Sequence, residues 1–270
     1  MSNKVISALA ALLLLGTAAA WYWWPRIAPT PPVPPVAAPP PADSEPAVAH
    51  PLSPAGQGGE ANLPDLATSD TVFRAALLAV PGAAALRNLL RPETLIRRIV
   101  ATVDNLPRHR LAVDIRPLRA TAGAFLVQGG DTQATIGAAN AARYAPYLAV
   151  VRSIDLHALS DLYRHYYPLF QRAYQDLGYP NGDFNDRLVG VIDHLLATPQ
   201  PVGPLALVRP KVFWEFANPE LEARSAGQKL LLRLGADNAA KVRARLSEFR
   251  ALIVAGTPGD PGSPAPARAP

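Results

Sequence analysis

From about Asp70 to Val254 the apolar residues recur mainly every three or four positions, the period of helices with one buried face. A first helix is expected from Asp70 to Ala79, with Ser69 or Asp70 as its cap and Pro81-Gly82 as its stop. Ala83 to Leu90 predicts a short second helix. Pro92 stands where a first-turn proline belongs and opens a helix to Asn105. Its stripe is Leu95, Ile96, Ile99, Val100, Val103 and Leu106, and Pro107 stops it. Asn140 to Arg152 predicts a turn leading into a helix, with Pro146 near its start. Asp155 caps a long helix ending at Leu177, with Gly178 as a left-handed stop and Pro168 as a kink or a division. Asp183 caps a helix bearing Phe184, Leu188, Val191, Ile192, Leu195 and Leu196. Asn218-Pro219-Glu220 opens another. Ser225 and Gln228 form a capping box for Ala226 to Leu234, and Gly235 ends that helix. Asp237 caps the last helix, whose stripe is Val242, Leu246, Phe249, Leu252 and Ile253.

Two-residue alternation is brief. Phe125–Gln128 and Thr132–Ile136 flank Gly129-Gly130-Asp131 and predict a hairpin. Leu205–Val208 and Val212–Phe216 read as short strands with Pro210 at the break. The fold class is therefore mainly α, α+β at most: a compact multi-helix domain with one or two short β-hairpins.

The pattern changes at both ends. Val5 to Trp24 is a run of 20 uncharged residues, long enough at about 1.5 Å each to cross a bilayer core of about 30 Å. Lys4 precedes it, and Trp21-Tyr22-Trp23-Trp24 close it with rings that favour the headgroup interface. A single transmembrane anchor with its N-terminus cytoplasmic fits these features. A cleaved signal peptide also fits, with Ala18-Ala19-Ala20 as the cleavage site. The anchor reading is preferred, because cleavage leaves four aromatic rings at the mature terminus. Both readings place the rest of the chain outside the cytoplasm. Thirteen prolines lie between Pro25 and Pro64, a composition that cannot build a core. The expected organisation is an anchor over 1–24, a Pro/Ala-rich disordered linker over 25–62, one mostly helical domain over 63–254 and a disordered tail over 255–270. Fully extended, the linker reaches on the order of 100 Å.

Composition changes the picture little. The net charge is +5, and Leu63 to Val254 holds 23 Lys+Arg against 17 Asp+Glu. So mild an excess reads as a solvated surface, and no nucleic-acid partner is expected. The absence of cysteine excludes disulfides, thiolate nucleophiles and cysteine-based metal sites.

Several stretches carry a resemblance: Arg143-Tyr144-Ala145-Pro146-Tyr147; Arg164-His165-Tyr166-Tyr167-Pro168-Leu169-Phe170-Gln171; Phe184-Asn185-Asp186-Arg187-Leu188; Val191-Ile192-Asp193-His194-Leu195-Leu196; Pro210-Lys211-Val212; and Ser225-Ala226-Gly227-Gln228-Lys229-Leu230-Leu231-Leu232-Arg233. Together they resemble a bacterial family known only as a domain of unknown function, number three-zero-one-four, over roughly Ala75 to Arg250. The resemblance implies a membrane helix, a Pro/Ala-rich linker and a domain, in that order. It implies no activity and no catalytic set.

Candidate chemistry is sparse. His157 and His165 lie eight apart on one predicted helix, about 160° around its axis, and no ligand spacing for a metal occurs. Asp193-His194 with Ser160 or Ser225 invites a hydrolase reading. Neighbouring helical residues diverge by about 100°, however, so Asp193 cannot orient the His194 ring, and Ser225 is better explained as a cap. No catalytic residue, metal or cofactor is expected. The most distinctive feature is an aromatic run, Tyr163, Tyr166, Tyr167, Phe170 and Tyr174, at three- and four-residue spacing, followed by Tyr179. Core packing explains it first; an interface or sugar-stacking groove is the alternative. Only one of Tyr166 and Tyr167 is expected at the centre of a core-facing stripe. The candidate binding patch is Tyr166, Tyr167, Tyr179, Asn185, Asp186 and Arg187. Its plainer reading is a capped helix start whose Arg187 pairs with a neighbouring carboxylate. The expected protein is a binding or scaffold module held at the bacterial inner membrane through Val5 to Trp24, with an envelope protein or cell-wall polymer as its partner. The alternative is an envelope hydrolase or transferase with an unfamiliar site.

Overall fold

Eight α-helices and a four-stranded antiparallel sheet make up the described part of the chain. The computed structural model describes residues 48–52, 63–130 and 134–255. The anchor or signal segment Val5–Trp24, most of the 25–62 linker and the tail from 256 lie outside the described residues. Among the described residues no helix is long and apolar enough to cross a membrane.

The helices are α1 (Asp70–Ala79), α2 (Leu95–Asn105), α3 (Ala145–Ser153), α4 (Leu156–Asp176), α5 (Phe184–Leu196), α6 (Pro219–Glu222), α7 (Ala226–Arg233) and α8 (Ala236–Val254). Short 3-10 turns, Ala84–Asn88 and Ala138–Tyr144, stand where a second helix and a turn were expected. Asp155, Asp183, Asn218 and Ser225 cap their helices as the sequence predicts. Other boundaries differ. Ser69 makes no side-chain cap, and Asp70 serves a different helix: its carboxylate accepts Thr94 N–H at 2.5 Å and Leu95 N–H at 2.7 Å, the first amides of α2. That helix therefore starts three residues after Pro92, behind Thr94 at φ 49°. Gly235, at φ 83°, ends α7 and also begins α8, leaving Asp237 inside the first turn. Pro168 does not divide α4, which runs unbroken for 21 residues.

The core lies where α1, α2, α4, α5 and α8 meet. Phe184 is its centre: 1% exposed, stacked on Phe170 at 5.8 Å and met by Tyr163 and Tyr174. Phe73 of α1 meets Tyr166 and Phe170 edge-on. Ile253 brings α8 into the same cluster. Burying a ring of this size is worth roughly 1.5–3 kcal/mol.

The two hairpins form one sheet. Strands β1 (Val127–Gln128), β2 (Ala134–Ile136), β3 (Ala206–Val208) and β4 (Glu215–Phe216) lie in sequence order. Thr135 pairs with Ala206, so α3, α4 and α5 lie in the crossover between β2 and β3. A two-stranded ribbon this short is marginal alone, and joining the two hairpins gives one buried face: Ala134, Leu207 and Phe216 against Leu232 of α7. The Arg233 guanidinium covers the Phe125 and Phe216 rings at 5.8 and 5.4 Å.

Glu222 fastens α6 to both neighbours, accepting Phe216 N–H at 2.9 Å and the Lys229 ammonium at 2.8 Å. Burial opposes its ionisation. Lys229, the Phe216 amide and Arg233 outweigh that and hold the carboxyl below its ordinary 4.5. A carboxylate depressed in the fold contributes stability above about 4.5 and loses it as pH falls through its folded value. Glu222→Gln should therefore cost about 1–3 kcal/mol at neutral pH and much less in acid below the folded value. Urea unfolding under the two conditions checks this; an equal loss in both would show that the charge is irrelevant.

Candidate functional site

The first turn of α5 starts with two buried residues, Phe184 and Asn185, followed by the half-buried Asp186 and Arg187, and a buried helix start has free amides to satisfy. Asn185 is 0% exposed. The loop before α5 and the face of α4 supply the partners. Phe184 N–H donates to Gln171 Oε1 at 2.8 Å, and Asp186 N–H to Asp183 Oδ1 at 2.8 Å. Gln171 Nε2 donates to Gly182 O at 2.7 Å, which fixes its amide. Tyr167 donates its hydroxyl to Asp183 Oδ2 at 2.6 Å, and Tyr163 to Asn185 Oδ1 at 3.2 Å. Burial, then the hydrogen bond to Asp183 and its charge, raise the Tyr167 phenol far above its usual range. Tyr163 is raised as well, chiefly by burial. Both phenols stay protonated and act as donors.

Asp186 and Asn185 grip another part of the chain. The Asp186 carboxylate accepts Ala49 N–H at 2.8 Å and His50 N–H at 2.6 Å, and its Oδ1 lies 3.1 Å from His50 Nδ1. Asn185 Nδ2 donates to His50 O at 2.8 Å. Two residues on, Leu52 is 8% exposed and belongs to the main core cluster. Residues 48–52, which composition assigns to the linker, are thus a segment that bends at Ala49 and His50 and is held through its main chain and one leucine.

Arg187 turns the other way, towards Asp104 on α2. Its Nε donates to Asp104 Oδ1 at 3.0 Å and its Nη2 to Asp104 O at 2.7 Å. Arg108 adds a contact to Asp104 Oδ2 at 2.8 Å, and the Tyr179 hydroxyl is 3.4 Å from the same oxygen. The Asp104 side chain is 2% exposed, so one buried carboxylate ties α2 to α5. The hydrogen bond to Asp104 and its charge raise the Arg108 guanidinium further above its ordinary value.

The predicted patch therefore divides. Asn185 and Asp186 act together on 48–52, while Arg187 and Tyr179 meet at Asp104. Tyr166 and Tyr167 are both in the core, at 5% and 8% exposure, which corrects the expectation that one would face outward. Neighbours 100° apart can both be buried because α4 is covered on two sides: Tyr166 packs edge-on to Phe73, and Tyr167 reaches the start of α5. Sequence reasoning missed Gln171, Asp104, His50 and Leu52. The last two lie in low-complexity surroundings, and the only local signal is one leucine with a histidine among prolines.

For the hydrolase alternative, the fold brings His194 Nε2 to 2.9 Å from Ser225 Oγ. Asp193 does not orient that ring; its carboxylate is held by Arg250 at 2.6 and 2.9 Å. Ser225 also accepts Gln228 N–H as the α7 cap and is 6% exposed. A cleft of about 200 Å³ between β2, α7 and α8 is lined by Gly137, Leu205, Leu231, Gly235 and Arg243 and contains neither residue. His157 and His165 are exposed on α4. Among the described residues no group of three or more His, Asp or Glu is placed to hold a metal.

A family model described as "Protein of unknown function (DUF3014)" matches residues 95–250, from the start of α2 into α8. No curated protein and no solved structure matches the chain.

Asp104→Ala leaves Arg187 and Arg108, both partly exposed, without the buried carboxylate they share. A loss of about 1–3 kcal/mol in urea unfolding is expected, against a smaller loss for Asp104→Asn. Equal stability of Asp104→Ala and the parent would show that the α2–α5 junction does not depend on this charge.

Proposed function

The chain belongs to the DUF3014 family, for which no activity is described, and from that premise we propose that it is a membrane-tethered envelope protein whose helical domain works by binding a short peptide segment. The observation that carries this reading is the hold on 48–52. One carboxylate takes two successive amides, a buried side-chain amide donates to the carbonyl that follows them, and an apolar socket takes a leucine. Recognition of this kind reads the main chain and a single anchor side chain, so it suits any peptide segment that can adopt the same bend. The chain's own segment then occupies the site as a tethered ligand, at the millimolar effective concentration that a short connection gives. Tethering itself rests on Val5–Trp24, with Lys4 before it and three tryptophans at its end. That arrangement places the N-terminus in the cytoplasm and the domain on the extracytoplasmic side of the inner membrane.

A second reading, an envelope hydrolase or transferase, is favoured by one observation, the His194–Ser225 contact. Labelling of Ser225 by a fluorophosphonate, lost in His194→Gln, would establish it.

In the full chain, Leu52→Asp should release the segment without disturbing the helices. A fluorescent peptide spanning residues 44–56 should then bind the variant saturably and the parent far more weakly. Asp186→Ala, added to Leu52→Asp, should abolish that binding. If the folded variant takes up no peptide, or binds it equally with Asp186 removed, the binding site is not where the reading puts it. Topology is checked separately: a phosphatase reporter fused after Val254 should be active only outside the cytoplasm, and activity of a cytoplasm-specific reporter there would overturn the tether.

A further inference from the structure

The turn between β3 and β4 contributes little to the core yet carries large apolar side chains into solvent. Val208 is 43% exposed, Val212 74% and Phe213 78%. Behind them the strand pair is firmly mounted: Leu207 and Phe216 are opposite partners, both buried, and Arg233 covers Phe216. The tip is therefore a fixed display of apolar groups. Two exposed cations, Arg209 and Lys211, alternate with them, and Pro210 between the cations has no N–H to offer a pairing strand. The Arg209 guanidinium lies 5.6 Å above the half-buried Trp214 ring. No aspartate or glutamate occurs from Leu195 to Trp214; Glu215, opposite Val208 in the register, is the first acid to follow.

Isolated exposed hydrophobics are ordinary, but a cluster of them interleaved with cations on a rigid tip needs a partner. The chemistry of the tip matches a bilayer boundary, where rings and branched side chains enter below the headgroups and Arg or Lys stay at phosphate level. We propose that the β3–β4 tip, Val208 to Phe213, docks on an anionic lipid surface, with Val212 and Phe213 entering the headgroup boundary and Arg209 and Lys211 meeting lipid phosphates. This is independent of the peptide site and holds whether or not the N-terminal segment is retained.

The absence of cysteine makes the test direct, because Val212→Cys is a unique labelling position in the full chain. An environment-sensitive dye at that position is followed with vesicles of phosphatidylcholine alone and of phosphatidylcholine with phosphatidylglycerol in equal parts. A blue shift with at least a doubling of emission is expected only with phosphatidylglycerol, and high salt should weaken it. The same dye on Val72→Cys, an exposed position on α1, should not respond. Arg209→Glu with Lys211→Glu should remove the response, and so should Phe213→Ser, which keeps both cations; circular dichroism confirms that each variant is folded. Identical spectra in the two lipid mixtures, or an unchanged response after charge reversal, would overturn the proposal. A shift that grows with protein concentration in detergent without phosphatidylglycerol would identify the tip as a protein–protein contact and overturn it equally.

Discussion

The start of α5 sets the constraint on which the rest of the helical core depends. Phe184 must be buried to fill the centre of the core, and burying it takes the first amides of its helix out of water. Each unpaired amide there would cost on the order of 1–3 kcal/mol. The structure satisfies them with Asp183 and Gln171 and uses phenol hydroxyls to hold the acceptors. This explains why α4 carries tyrosine where phenylalanine would fill the same space: Tyr163 and Tyr167 spend their rings on the core and their hydroxyls on Asn185 and Asp183.

Two other helices solve the same problem with groups from distant parts of the chain. The amides that open α2 are taken by Asp70. Those that open α7 are taken by Arg108 O and Leu106 O, with Ser225 serving the third. Gly227 is required there, since a Cβ would lie 2.5 Å from Leu195 Cδ2 and 3.2 Å from Leu106 O. A local capping box uses its fourth residue to reach back to the cap. Here Asp186 reaches to 49–50 and Gln228 to His194 O, so residues placed for a local role make tertiary contacts.

Helix positions, four of the caps and the strand segments were legible from the chain, because they depend on three- and four-residue spacing and on local turn chemistry. Asp183 and Asp155 were read correctly for that reason. Asp70 was assigned to its own helix because nothing local marks an acceptor as belonging to a helix 24 residues later. The merging of two hairpins into one sheet was hidden in the same way, since three helices separate the strands that pair. In the candidate patch, the grouping of Asn185 with Asp186 was visible as a polar helix start. The burial of Tyr166 beside Tyr167 was not, since it depends on α4 being covered from two sides. Asp104 drew no reading of its own, because its pairing with Arg187 across 83 residues leaves no sequence signature.

The hold on 48–52 has a mechanical consequence. Tension applied from the N-terminal side reaches Asp186 and the Leu52 socket before it reaches Asp70 and α1. The load is first borne by three main-chain hydrogen bonds and one leucine, and α5 transmits it directly to the centre of the core. Should that attachment yield, the load passes to Leu63 and α1 further along the chain. The hold therefore acts in the manner of a mechanical fuse, yielding ahead of the helices.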